Sequence, residues 1–336
     1  MRSVLFAFTE RGKATARRVA EILEGEKALY APARLAGEGF EAYPGGLPEF
    51  TGTVFDWDAL VFVGATGIAV RAVAPHVASK KSDPAVICLD EAGSFVIPLL
   101  SGHIGGANVL ARRLADALGA VPVVTTATDV NGRFSVDTWA TERGMAITSM
   151  ALAKRVSAEI LTRDIPFYTD GERPEALANG LTWAERGELG VCVSIHDLKP
   201  FDSTLLLAPR VLRLGIGCRR GTPAEAIEAV IEKVLSENDL RLEAIKDAAS
   251  IDVKSDEVGL LACCNAHDWS LTFYSAEQLM AVPGSFTKSD FVKNTVGVDN
   301  VCERAAAADG GRIIVPKTAL NGVTVAVAEL KWGIEF

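Results

Sequence analysis

Unbroken apolar runs alternate with amphipathic stretches along most of this chain, and the alternation predicts a mixed α/β architecture. Residues 3–9 hold one run, and Lys13 to Leu23 then places Ala16, Val19, Ala20 and Leu23 at helical spacing. The pattern returns at Ala59 to Val63, followed by the turn Gly64-Ala65-Thr66-Gly67 and a helix over Ile68 to Ala74 that Pro75 ends. It returns again at Phe95 to Leu100, which leads through Ser101-Gly102-His103-Ile104-Gly105-Gly106-Ala107-Asn108 into a helix with Val109, Leu110, Leu114 and Leu118 on one face. Ala85 to Leu89 and Val121 to Val124 add further strands, while the Pro- and Gly-rich residues 32–53 read as loops around a short strand. Runs apolar at every position signal strands covered on both faces, as in a parallel sheet between helices. Val96 to Leu100 is therefore expected as a buried parallel strand with its glycine turn at the sheet's carboxyl edge.

The rhythm weakens over residues 136–208, where Ala151 to Leu161 reads as helix and Ile165 to Tyr168 and Gly187 to Ile195 as extended. Pro200 and Pro209 bracket a strand-like Thr204 to Ala208. A fresh unit then begins with the strand Val211 to Ile216 and the turn Gly217-Cys218-Arg219-Arg220-Gly221. Thr222-Pro223-Ala224-Glu225 has the form of a capping box with proline at the first helical position. The expected fold class is α/β: an open-sheet amino-terminal domain over 1–135, a small middle or connecting segment over 136–208, and a separate α/β domain over 209–336.

Composition narrows the partners. A length of 336 residues suggests more than one core, and a net charge of −9 argues against nucleic acid or an anionic membrane and for a small molecule. No apolar run approaches the roughly 20 residues of a membrane helix, and the short run after Met1 does not read as a secretory leader, so a cytoplasmic location is expected. The cysteines at 88, 192, 218, 263, 264 and 302 form no C-x-x-C pair and no zinc-spaced cluster with histidine, which predicts reduced thiols and no metal ligands.

Candidate chemistry gathers at the glycine turns. His103 can move protons near neutral pH, and Gly105, Gly106 and the helix start can aim N–H groups at a carboxylate, a phosphate or a developing oxyanion. Taken alone, the same residues also make a tight connection in which the glycines serve packing. Thr125-Thr126-Ala127-Thr128-Asp129 is a hydroxyl-rich strand end or a capped helix start. If the sheet is parallel, the turns at 64, 101 and 125 open on one edge, and lysines 80 and 81 with Arg71 suit a ligand bearing several carboxylates. Arg219 and Arg220 beside a helix start form a carboxylate or phosphate clamp, or an exposed pair. Gly215, Gly217 and Gly221 miss the dinucleotide spacing by one residue with no ribose-binding acid following, which excludes NAD. Thr9-Glu10-Arg11-Gly12 is equally unsuited to a flavin phosphate.

Several motifs, in order, carry a resemblance to a known family. Gly64-Ala65-Thr66-Gly67-Ile68-Ala69-Val70-Arg71, Ser82-Asp83-Pro84-Ala85-Val86, Leu100 to Asn108 and Thr125 to Asp129 are similar to the amino-terminal region of the CbiG family. Gly215 to Gly221, Ser250-Ile251-Asp252-Val253-Lys254, Val296-Gly297-Val298 and Val301-Cys302-Glu303-Arg304-Ala305-Ala306 are similar to its carboxyl-terminal domain, which is shared with CobE.

The resemblance implies a cobalt-precorrin-5A hydrolase of anaerobic cobalamin biosynthesis. Its substrate is a ring-contracted cobalt corrinoid edged by acetate and propionate groups. The reaction opens the ring-A acetate δ-lactone and releases acetaldehyde. No cofactor of the protein's own is implied, since the substrate brings the cobalt, and contacts with neighbouring pathway enzymes are in keeping with this setting. On this reading His103 is the general base and Gly105 and Gly106 donate to the oxyanion, while Thr66, Arg71, Ser101, Asn108, Thr125, Thr126, Arg219, Arg220, Lys254 and Glu303 are the candidate substrate contacts. The CobE-like end keeps a second reading open, a tetrapyrrole-binding or carrier protein without catalysis.

Overall fold

The computed structural model describes residues 1–79, 82–102 and 105–336. The chain divides into two compact units, Met1–Thr138 and Trp139–Phe336. The first is built on one sheet of seven strands: β1 (Ser3–Ala7), β2 (Lys27–Ala31), β3 (Glu41–Ala42), β4 (Ala59–Val63), β5 (Ala85–Leu89), β6 (Phe95–Leu100) and β7 (Val121–Pro122). Their order is β3-β2-β1-β4-β5-β6-β7, and β1 to β5 run parallel. Unbroken apolar runs form these central strands because both faces are covered. Leu5, Val61 and Ile87 pack with helices Glu10–Ile22 and Ala107–Leu118, whereas Phe6, Phe62 and Val86 pack with Leu47–Thr53 and Thr66–Val73. Full burial of each such side chain contributes about 1.5–3 kcal/mol. The helix Leu47–Thr53 stands where the Pro- and Gly-rich composition suggested loops.

One strand departs from expectation. β6 runs antiparallel to β5, pairing Leu100 with Val86 and Val96 with Leu89, and parallel only to β7. The cause is the short link between them: Asp90 accepts N–H groups from Ala92, Ser94 and Phe95, and Gly93 sits at φ 69°, so the chain turns back as a hairpin. A parallel return needs a crossover of a dozen or more residues. The Ser101 turn therefore leaves the sheet at the edge where β5 begins, beside Asp83, while the Gly64 turn leaves at the opposite edge. Five residues at roughly 3.3 Å each separate the two edges by roughly 16 Å.

In the second unit the middle stretch is a complete five-stranded sheet. It comprises β8 (Met145–Ile147), β9 (Ile165–Thr169), β10 (Leu181–Trp183), β11 (Leu189–Val193) and β12 (Ser203–Pro209), in the order β10-β9-β11-β12-β8. The carboxyl-terminal sheet comprises β13 (Leu212–Cys218), β14 (Ile245–Ile251), β15 (Ser270–Tyr274), β16 (Arg312–Leu320) and β17 (Val323–Glu329), in the order β15-β14-β13-β17-β16. Ile195 and Ala208 of the middle stretch join the core of Leu212, Leu214 and Val327, and Phe336 stacks on Trp139 at 4.9 Å. These contacts unite the middle segment with the carboxyl-terminal domain.

Helices Ala224–Glu237 and Val258–Ala266 cover one face of the carboxyl-terminal sheet, and Cys302–Ala307 lies on the other. A Cβ at Gly215 would lie 1.8 Å from the Cys302 carbonyl oxygen, so this glycine serves close packing of strand and helix. The expected capping box is not formed: Pro223 is the N-cap residue, and the Thr222 hydroxyl donates to the Arg219 carbonyl at 2.8 Å. Among the described residues, no helix is long and apolar enough to cross a membrane.

Candidate functional site

The predicted residues fall into three places. His103, like lysines 80 and 81, lies outside the described residues. Around it the turn is tightly built. Ser101 has φ 57° and Gly106 φ 77°, and the chain folds back so that the Ala107 N–H donates to the Ser101 carbonyl at 3.1 Å and the Asn108 N–H to the Gly102 carbonyl at 2.9 Å. Two donors expected to face a ligand are thus engaged by the turn itself. For Gly105 and Gly106, no N–H hydrogen bond is present among the described residues.

Asn108 is 3% exposed and donates to Thr126 Oγ1 at 2.7 Å and Asp129 Oδ2 at 3.1 Å. Thr126 in turn donates to Asp129 at 2.6 Å, and Arg112 pairs with the other Asp129 oxygen at 2.5 Å. Asn108 and Thr126 therefore tie one turn to the next, while Thr125 stays exposed. The Ser101 hydroxyl donates to the Asp83 carbonyl at 2.9 Å. The turns at 101 and 125 share an edge of the sheet, as expected, but the turn at 64 does not. Thr66 and the exposed Arg71, whose Nη1 reaches the Gly67 carbonyl at 3.3 Å, belong to the opposite edge because β6 is reversed.

The third place is a cavity of about 760 Å³ at the carboxyl ends of β13, β14 and β16. It opens beside β13 where the winding changes: β14 lies parallel on one side and β17 antiparallel on the other, the kind of crevice in which open α/β sheets bind ligands. Its volume is within the range of small-molecule sites, roughly 300–1,000 Å³. Arg219, Arg220, Lys254 and Lys317 line it together with Ile251, Val296, Val301 and Val323, and no Asp or Glu lines it among the described residues.

These cations differ in their commitments. Arg220 is held by Asp256 at 2.8 and 2.9 Å and by the Val253 carbonyl at 3.1 Å, and Lys254 donates to Glu257 at 3.2 Å. Glu257 in turn accepts the Gly221 N–H at 2.6 Å. Arg219 and Lys317 have no ion pair among the described residues. The Arg219 stem lies across Gly322, where a Cβ would come within 2.8 Å of it.

Burial pushes the Cys302 thiol up to about 11, against the opposing pull of Thr324 and the Lys317 charge. Burial likewise raises Cys218 against the Lys254 charge. Both lining cysteines are therefore thiols rather than nucleophilic thiolates at neutral pH.

Glu303 is a correction. It is 3% exposed, and its carboxylate accepts from Thr287 N at 2.7 Å, Thr287 Oγ1 at 2.9 Å, Asn300 Nδ2 at 2.8 Å and Lys317 N at 2.7 Å. With four donors satisfied, it braces the cavity wall from behind rather than meeting a ligand. Lys317 was missed, although Pro316 within a strand-like run was a signal. Proline in a sheet marks an edge or a bulge. β16 pairs Val315 with Val327 and Thr318 with Val325, one residue too many on its side. The bulge frees the Lys317 N–H for Glu303 and re-aims the side chain to the cavity.

A second cavity of about 760 Å³ lies between the middle and carboxyl-terminal sheets. Its charges are mixed: Asp170, Glu172 and Glu329 face His196, Arg312 and Lys331, with Arg312 paired to Glu329. The absence of lining acids favours the first cavity for an anion.

Comparison with known proteins bears on both ends of the chain. The family described as cobalamin synthesis G N-terminal matches residues 50–129, and that described as cobalamin synthesis G C-terminus matches 212–328. Cobalt-precorrin-5A hydrolase of Salmonella typhimurium is 36% identical over 341 residues, covering 96% of this chain and 95% of that protein. The protein of the same name from Priestia megaterium is 31% identical over 349 residues, covering 96% and 93%. The crystal structure of a cobalamin biosynthesis protein G homolog from Sulfolobus solfataricus superposes with a TM-score of 0.42 at 23% identity, covering 98% of this chain and 97% of that one. Matched by the family at both ends and aligned along almost all of its length with two hydrolases, the chain belongs to the CbiG family.

Proposed function

We infer that this protein is a cobalt-precorrin-5A hydrolase, opening the ring-A acetate δ-lactone of a ring-contracted cobalt corrinoid and releasing acetaldehyde. The observation that carries the reading is the 36% identity to the Salmonella typhimurium hydrolase over 96% of the chain. A carrier related to CobE alone would not require the amino-terminal unit to align as well.

Lactone hydrolysis needs a base to deprotonate water and donors for the carbonyl oxygen as it becomes an oxyanion. His103 takes the first role in this proposal and the Gly105 and Gly106 N–H groups the second. Opening the lactone leaves a carboxylate and a hydroxyethyl group. Loss of the hydroxyl proton as the carbon–carbon bond breaks then gives acetaldehyde, and the electron pair passes to the macrocycle. Cobalt enters as part of the substrate, and the protein supplies no cofactor of its own. The deciding experiment incubates the intact protein with cobalt-precorrin-5A and assays acetaldehyde. Stoichiometric release is expected, and a bound but unchanged corrinoid would replace the hydrolase by a carrier.

A further inference from the structure

A substrate rimmed with acetates and propionates must be recognised by several cations that are not already neutralised. Of the four cations lining the carboxyl-terminal cavity, Arg220 and Lys254 are committed to Asp256 and Glu257. The other two are held in place by the backbone. The Arg219 N–H donates to the Gly322 carbonyl at 3.1 Å, and its stem lies over a glycine at φ 83° whose missing side chain leaves the room. Lys317 stands on the β16 bulge, with its own N–H pinned by buried Glu303 at 2.7 Å. The walls between them are apolar, from Ile251, Val296, Val301 and Val323, as suits the flank of a macrocycle.

We propose that this cavity is the carboxylate-reading site for the corrinoid, with Arg219 and Lys317 as the side chains that contact the acetate and propionate groups. The assignment rests on the hydrolase reading for the chemical class of its ligand. It adds where that ligand is recognised and by which residues. Charge-assisted hydrogen bonds form between each cation and a carboxylate. Because the protein as a whole carries a net charge of −9, attraction for a polyanion is confined to such a patch and weakens as salt screens it.

The test titrates the intact protein with cobyrinic acid, a corrinoid polycarboxylate, and with its neutral methyl ester, following the visible spectrum. The acid is expected to bind and the ester to bind at least tenfold more weakly. Arg219→Ala and Lys317→Met, which keeps an unbranched stem, should each weaken binding of the acid by about tenfold or more, the range for losing a hydrogen bond to a charged group. Lys331→Ala, in the second cavity, should leave it unchanged. Equal binding of acid and ester, wild-type affinity in both cavity variants, or a loss that appears in Lys331→Ala instead would overturn the proposal. Acetaldehyde release is scored separately. Normal release with an unchanged KM in Arg219→Ala and Lys317→Met refutes the cavity and leaves the hydrolase standing, whereas binding without release refutes the hydrolase and leaves the cavity.

Discussion

Two glycine-rich turns lead from a strand towards a helix in this molecule, and they satisfy their backbone N–H groups differently. In the Ser101 turn the chain closes on itself: the carbonyls of Ser101 and Gly102 take the N–H groups of Ala107 and Asn108, and the Asn108 side chain is tied to Thr126 and Asp129. In the turn from Gly217 to Gly221 the Arg219 carbonyl is taken locally by Thr222, but the N–H groups are met from elsewhere, Gly221 by Glu257 and Arg219 by Gly322, and a cavity opens beside it. Glycine content is the same kind of signal in both. Neighbour direction does not separate them, since β6 and β13 each lie between one antiparallel and one parallel strand; what differs is which residues take the polar groups of the turn. Under the proposed function the two turns do different work, proton transfer at the first and substrate recognition at the second.

The largest expected effect tests the first half of that contrast. His103→Ala should lower kcat by roughly 10² to 10⁴, the range for losing a general acid or base, with KM little changed. The reverse split, a raised KM with turnover near wild type at saturating substrate and His103→Asn as active as wild type, would make the residue a binding contact.

Next comes Glu303→Ala, which leaves four donors, one buried and three partly buried, without their acceptor and should destabilise the second unit by roughly 2–4 kcal/mol, an unsatisfied donor away from water costing about 1–3 kcal/mol. Urea unfolding followed by tryptophan fluorescence measures it, and Glu303→Gln should recover part of the loss. A cost under about 1 kcal/mol would remove Glu303 as a brace of the wall and restore it as a candidate substrate contact.

A finer probe compares two adjacent glycines. A Cβ at Gly105 would lie 2.3 Å from the Ser101 Cβ and 2.9 Å from its carbonyl oxygen, whereas at Gly106 there is open space but φ is 77°. Gly106→Ala should therefore cost only the left-handed backbone penalty, about 1–2 kcal/mol, and Gly105→Ala distinctly more. Equal melting temperatures for the two variants would show that the turn is not closed as described.

The smallest effect is one of pH. The Tyr274 hydroxyl donating to Asp309 at 2.6 Å, and Arg213 at 3.0 Å, hold the Asp309 carboxyl below the ordinary carboxylate range. A carboxylate lowered on folding stabilises fully above its unfolded value, about 3.9, and loses that contribution as pH falls through the folded value. Stability should thus be flat from pH 7 to about 4 as far as this group is concerned, and then decline. Asp309 is 66% exposed, so the decline it causes is small. Asp309→Asn should flatten that part of the acid limb, and an unchanged limb would remove Asp309 from its cause.

Much of this was legible along the chain. Apolar runs such as Ala59–Val63 and Ala85–Leu89 announced strands buried on both faces, and helical spacing from Ala16 to Leu23 and from Leu110 to Leu118 announced their cover. The ordered motifs carried the family, and through it the chemistry. The reversal of β6 was also locally encoded, since five residues from Asp90 to Ser94 cannot make a parallel crossover, but reading it requires counting the link and not only the pattern. The site was less legible. Whether a cation is available depends on a residue far along the chain: Arg220 is spent on Asp256, while Arg219 beside it has no such partner among the described residues. Lys317 faces the cavity because a bulge at Pro316 turns it there and Glu303 takes its N–H.

The sequence by itself determined the α/β alternation, the family and the chemical class of ligand, because patterning and motifs are carried by neighbours in the chain. Tertiary structure decided which turns share an edge, which cations stay free of carboxylates and which acid is buried as a brace. Each of these depends on pairings across tens of residues, where strand direction and buried hydrogen bonds, rather than residue type, set what a side chain can reach.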